Sequence, residues 1–317
     1  MKLKLTIKDT EKLKDSLQLI SSARKFVVLK FTPKELCIIS INDQVINQEP
    51  QIWIKFPADS LFESIEVQSL RENTISMELN IDLLLQTLKN FKKANSEGLN
   101  IRLQRTDTSG QQGVNSKNGR TASLALFYSN MNINSNTLNH TFRIPVKILR
   151  ENQNLLQEPY HSQNSLIMRL PREFVTMFKR LEKFKKASGN DIVTIRASRT
   201  GNGFLGFILQ EENKFRVTIS WNNRLEVHKS TNNEPESVRE TLKNINSSQM
   251  ESSEEESVDE VQLTLKLNHW QQASKIVGGC EIVILYINDN ECSFHCLFDD
   301  TGEVEILYFV NGIRVIT

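Results

Sequence analysis

Residues 91–103 read FKKANSEGLNIRL, and residues 184–196 read FKKASGNDIVTIR, 93 positions further along the chain. Each FKKA closes a run with the helical spacing of apolar residues and leads into a run where apolar and polar residues alternate. Ahead of the first copy, ISMELNIDLLLQTLKN (75–90) reads as a strand, a cap at Asp82 and about three helical turns. Gly98 then precedes the next strand. Ahead of the second, SLIMRLPREFVTMFKRLEK (165–183) repeats the order, with Pro171 at the helix entrance and Gly189 beyond its end.

The same template finds two weaker copies. MKLKLTIKDTEKLKDSLQLISSARKFVVLKF (1–31) has Asp9 or Thr10 as its cap. VQLTLKLNHWQQASKIVGGCEIVILYI (261–287) has Asn268 as cap and Gly278–Gly279 as stop. Between them run ELCIISI, QIWIKFP, ASLALFY, TFRIPV, FLGFILQ, FRVTISW, CSFHCLF and VEILYFV, whose period of two marks half-buried, largely antiparallel strands. These patterns predict an α+β fold of four helices and about sixteen strands, in two similar halves. The polar stretch RENQNLLQEPYHSQN (150–164) is the seam, so the expected domains are 1–149 and 165–317. Residues 105–121 read as a long polar loop. Residues 229–260, acidic, serine-rich and without aromatics, are expected not to bury enough surface to order themselves.

Composition narrows the function. A net charge of +1 means that any basic surface is local. The opening MKLKLTIKDTEK has no apolar run of the signal-peptide kind. Nowhere do about 18 apolar residues follow one another, as a spanning helix needs. Four cysteines without framework spacing point to a reducing compartment. Cys292 and Cys296 sit on a strand-like run, where positions four apart are separated by about 13 Å, too far to share a metal. Cys292, Phe294 and Cys296 then share one face and His295 takes the other. The run GNGFLG (201–206) fits a dinucleotide-loop spelling but leads into a hairpin rather than a helix, so Gly201 and Gly203 read as turn glycines. No cofactor, metal or catalytic residue is expected, and no phosphate-loop motif is present for an ATPase.

Several phrases together carry a resemblance: MKLKL at the start, QIWIKFP (51–57), FRIPVKIL (142–149), LQEP (156–159), ISWN (219–222) and CSFHC (292–296). Their order and spacing resemble the fungal Hus-one-type (Mec-three-like) subunits of the nine-one-one DNA-damage checkpoint clamp, along nearly the whole chain. The resemblance implies a sliding-clamp fold and a ring of three different chains, with helices lining a central hole. It further implies double-stranded DNA through the hole, an ATP-dependent loader, activation of a checkpoint kinase and a nuclear location.

A helix lining such a hole needs an apolar face against its sheet and a basic face towards phosphates. In the third helix Phe174, Met177, Phe178, Leu181 and Phe184 form the apolar stripe, and Thr176, Lys179, Arg180, Lys183 and Lys186 an acid-free opposite one. In the second, Leu84, Leu88 and Phe91 face inwards while Gln86, Lys89, Asn90 and Lys93 face out. The first offers Lys14 among Glu11, Asp15 and Gln18. The fourth offers Lys275 with Gln272 and His269. By the clamp pattern, the ring-forming edges are the strand at 138–146, with His140, Phe142 and Ile144, and the strand at 215–222, with Phe215, Val217 and Ile219. Ser252, Ser253 and Ser257 each precede a glutamate by three positions, which suits an acid-directed kinase. Two readings stay open beside the heterotrimer: a homotrimeric replication clamp, and a scaffold that does not encircle DNA.

Overall fold

The computed structural model describes residues 1–40, 49–94, 96–105, 122–131, 137–149, 158–159, 165–185, 191–200, 203–211, 214–221, 224–229, 238–247 and 260–313. The chain divides into two compact units, Met1–Ser40 with Ile54–Leu156, and Ile41–Trp53 with Gln157–Thr317. Residues 41–53 therefore group with the second unit, although the sequence reading places them within 1–149.

In chain order the first elements are β1 (Lys2–Ile7), α1 (Thr10–Ser21), β2 (Phe26–Phe31), β3 (Glu35–Ser40), β4 (Gln51–Pro57) and the single turn α2 (Ala58–Leu61). Then come β5 (Phe62–Gln68), β6 (Ile75–Asn80), α3 (Ile81–Lys93), β7 (Glu97–Arg105), β8 (Ala122–Met131) and β9 (Thr137–Ile148). The strands on either side of one helix do not pair with each other. Instead β1 pairs with β7, Lys4↔Arg102 to Ile7↔Leu99, and β2 pairs with β6, Phe26↔Asn80 to Phe31↔Ile75. The entry strand of each helix thus lies beside the exit strand of the other, which sets α1 next to α3.

The later elements are β10 (Leu166–Leu170), a 3-10 turn at Arg172–Phe174, α4 (Val175–Lys185), β11 (Ile192–Ser198), β12 (Phe204–Glu211), β13 (Phe215–Ser220) and β14 (Val227–Lys229). They continue with α5 (Val238–Ser247), β15 (Glu260–Lys266), α6 (Leu267–Gly279), β16 (Ile282–Ile287), β17 (Glu291–Leu297) and β18 (Glu305–Asn311). The exchange recurs: β10 pairs with β16 and β11 with β15, and α4 packs beside α6. Here the strands run β14-β10-β16-β17-β18 and β13-β12-β11-β15. Beyond β18 the Ile313 amide donates to the Thr264 carbonyl on β15 at 2.7 Å, joining the two sets.

The helices bury the stripes that their spacing predicts. Leu13, Leu17 and Ile20 on α1, Leu84, Leu88 and Phe91 on α3, Met177, Phe178 and Leu181 on α4, and Trp270, Ile276 and Val277 on α6 are all buried. Trp270 is the hub of the second core, with the rings of Phe178, Phe207 and Phe294 centred 5.4, 5.1 and 5.0 Å away. On β17, Cys292, Phe294 and Cys296 are buried and His295 lies on the opposite face, its ring 4.6 Å from that of Tyr286. Burial holds the Cys292 and Cys296 thiols protonated, well above the usual thiol range. In GNGFLG, Gly203 has φ +76° and β12 follows it directly.

Four local expectations are corrected. The cap of α3 is Asn80, whose side-chain oxygen accepts from the Asp82 amide at 2.9 Å, because the helix starts one residue before Asp82. The cap of α6 comes from outside its own strand: Asp191 accepts from the Asn268 amide at 3.1 Å, and its carbonyl accepts from the Leu267 amide. Gly278 and Gly279 are the last residues of α6 rather than its stop. The segment 229–260, expected not to order itself, contains α5. That helix buries Val238 and Thr241 against Ile167, Ile284, Tyr286 and Leu297, with Leu242 packed alongside. Valine, threonine and leucine at helical spacing build an apolar strip that a count of acidic residues conceals. The expected loop 105–121 beyond residue 105, the seam except for residues 158–159, and Gly189 lie outside the described residues.

Candidate nucleic-acid interface and sheet edges

On α4, Lys179, Arg180 and Lys183 are exposed opposite the buried stripe, and no carboxylate pairs with them among the described residues. Exposed Glu173 and Glu182 border this cationic strip without interrupting it. Lys186 lies outside the described residues. On α3, Lys89 and Lys93 are exposed and likewise unpaired among the described residues, as is Lys275 on α6. Each cation projects from a helix whose other face is locked into a core, so its backbone position is fixed while its long side chain remains free.

Lys14 is different. Its side chain is only 12% exposed, its ammonium donates to Glu11, and Asp15 lies 3.3 Å away. Glu11 also accepts from Lys92 of the adjacent α3 at 3.0 Å. Lys14 first, then Lys92, holds the Glu11 carboxyl below the usual carboxylate range, and Glu11 in turn raises the Lys14 ammonium. The α1–α3 face thus spends two of its cations on an internal cluster. The sequence pattern sets Glu11 beside Lys14 but gives no sign that Lys92 arrives from another helix.

The two strands singled out as edges occupy distinct places. Among the described residues β13 pairs with β12 alone, Gly206↔Ser220 to Glu211↔Phe215, and is the last strand of its set. None of its six residues is buried. β9 pairs with β8 along its length, Met131↔Thr137 to Ala122↔Val146. On its other side β6 reaches only Val146, Lys147 and Ile148. Residues 137–145 therefore have one flank without a strand partner among the described residues. Pro145, which has no amide to donate, sits at the end of that flank.

Behind the β9 flank, His140 and Phe142 stack on Tyr128 at 4.7 and 5.9 Å, and the His140 Nε2 lies 3.0 Å from the Asn130 Oδ1. Between α3 and β9 opens a cavity of about 160 Å³, lined by Leu83, Gln86, Asn90, Phe142, Arg143 and Ile144. Leu83 is 40% and Leu138 45% exposed, so apolar surface stands uncovered beside an incomplete strand. β5 also ends a sheet, but it carries exposed Glu63, and Glu66 bound to Lys2 of β1. Charges of this kind blunt a sheet edge.

The whole chain superposes on sliding clamps. Over 98% of its length it matches a PCNA from Thermococcus kodakaraensis with a TM-score of 0.60 and 9% identity, covering all of that chain. It matches 98% of a PCNA from Entamoeba histolytica with a TM-score of 0.61 and 10% identity, again over 98% of its own length. The protein thus has the clamp fold. Two curated relatives carry the name DNA damage checkpoint control protein MEC3. The one from Eremothecium gossypii is 25% identical over 94% of this chain and 93% of its own length. The one from Saccharomyces cerevisiae is 25% identical over 71% of this chain and 64% of its own length. Residues 1–314 match the Hus1-like protein family, and the chain belongs to it.

Proposed function

We propose that this chain is a non-catalytic subunit of a ring of three different clamp-fold chains, which surrounds double-stranded DNA and signals damage to a checkpoint kinase. Membership of the Hus1-like family over residues 1–314, in a fold shared with PCNA, carries the reading. The unpaired cations of α3 and α4 support the DNA role. Phosphate contacts made by long side chains from fixed helices hold a duplex without reading its sequence, as a sliding ring requires. In this arrangement Lys89, Lys93, Lys179, Arg180, Lys183, Lys186 and Lys275 face the duplex, and Lys14 serves the Glu11 cluster. The free flanks of β9 and β13 join the neighbouring subunits through His140, Phe142 and Ile144 on one and Phe215, Val217 and Ile219 on the other. The domains are 1–149 and 165–317 joined by 150–164. A separate ATP-driven loader opens the ring, the complex works in the nucleus, and Ser252, Ser253 and Ser257 are sites of phosphorylation.

The test is Lys179→Glu/Arg180→Glu/Lys183→Glu in the assembled complex. The expected result is weaker binding to duplex DNA, with the slope of log affinity against log salt reduced by about 2 to 3. Unchanged DNA retention by an intact complex removes α4 from the lining.

A further inference from the structure

We infer that the free flanks of β9 and β13 both select partner strands bearing carboxylates, and that neither is built to pair with the other flank on a second copy of this chain. The inference deepens the ring reading and rests on it.

The two strands have the same layout. On one face of each runs a largely apolar row: half-buried His140 and Phe142 with buried Ile144 on β9, and half-buried Phe215, Val217 and Ile219 on β13. On the opposite face stands an exposed guanidinium, Arg143 on β9 and Arg216 on β13. Neither TLNHTFRIPVKI nor FRVTIS contains an aspartate or a glutamate. Nearby lysines are already engaged, Lys147 by Glu78 at 3.7 Å and Lys214 by Glu211. Among the described residues Arg143 reaches only the amide oxygen of Gln104, at 3.4 Å. Arg216 has no ion-pair partner among the described residues. Among the described residues, each edge therefore keeps one guanidinium without a carboxylate partner.

The apolar rows cannot discriminate between partners. If β9 of one copy met β13 of another, both rows would be covered just as well as by a foreign strand. The charged faces do discriminate. Where the two strands themselves are paired, neither sequence sets a carboxylate opposite Arg143 or Arg216, and like charges brought opposite one another oppose pairing. A strand carrying Asp or Glu on its outward face instead gives each guanidinium a two-pronged acceptor. Attraction to the right partner and repulsion of a second self copy then come from the same two residues. On β9 the cavity lined by Leu83, Phe142 and Ile144, with Gln86, Asn90 and Arg143 also on its wall, adds room for a partner side chain. The fitting partner is an extended edge strand that alternates apolar residues inwards with carboxylates outwards.

The experiment uses the full chain drawn from its own cells with its complex and weighed by native mass spectrometry. Arg143→Glu and Arg216→Glu, made singly, are each expected to weaken the hold on one partner by about tenfold or more while leaving the other in place. Both positions are exposed, and melting curves of the variants check that folding is intact. In parallel, Arg143→Lys and Arg216→Lys complexes are treated with a carbodiimide, which joins an amine to a carboxylate in direct contact. The expected products are amide links from position 143 to an acidic residue of one partner and from position 216 to an acidic residue of the other. Intact complexes that tolerate both reversals and yield no such links overturn the inference while leaving the ring standing. Links between two copies of this chain overturn it as well. A wild-type chain that purifies without any partner strikes the ring reading itself.

Discussion

At the scale of single residues, two positions show how local chemistry departs from local spelling. Gly203 combines a positive φ with a close approach: a Cβ there would lie 2.3 Å from the Leu225 carbonyl oxygen and 2.8 Å from a Val227 methyl. Gly203→Ala is expected to destabilise the second unit by about 1–3 kcal/mol, read as a lowered midpoint in chemical denaturation. Glu11 is the second case. Its folded pKa lies below the unfolded one, so its contribution to stability is full above the ordinary carboxylate range and fades as pH falls through the folded value. Because the group is exposed, the effect is best read directly. The Glu11 carboxyl is expected to titrate below an ordinary glutamate by NMR, and Lys92→Met is expected to move it partway back up. A midpoint that ignores Lys92 would separate the two helices at this point.

At the scale of elements, the helices are specified by their stripes but finished by partners from elsewhere. Asp191 caps α6 from 76 positions before its first residue, Leu267. Asp191→Ala is expected to cost about 0.5–2 kcal/mol and to speed amide exchange in the first turn of α6 ahead of the rest of its unit. The docked α5 obeys a tighter balance. Its hold on the core rests on a short apolar strip, in which burial of Val238 contributes about 1.5–3 kcal/mol. Hydrogen bonds such as Thr241 Oγ1 to Tyr286 OH at 2.6 Å help to hold it in place. Val238→Asp is expected to release α5 alone: hydrogen exchange accelerates over 238–247 while the cooperative melt of the second unit shifts little. A variant that lowers the whole transition instead would make α5 integral to that core.

At the scale of the molecule, the reciprocal exchange of strands between paired helices builds the same scaffold twice. Each scaffold turns one face of two helices away from its sheets. Cations on those faces are screened by salt, with a Debye length of about 3 Å at 1 M, whereas strand pairing and apolar rows are not. The assembled ring is therefore expected to slip from linear DNA in high salt yet stay on closed circles, scored by retention after washing. Equal loss from both forms would mean that the protein clasps DNA without closing around it.

The sequence by itself determined the strand–helix–strand units, the inward stripes, the turn role of Gly203 and the acid-free strip on α4. All of these are set by periods of two or 3.6 residues within a short window. Only the tertiary structure decided that Lys14 is engaged by Glu11, that α6 is capped by Asp191, and that β9 and β13 each keep a flank without a strand partner among the described residues. Those outcomes depend on which distant strands and helices become neighbours. Hydrogen bonds and ion pairs form across space, and the local period of a chain does not encode who arrives on the other side.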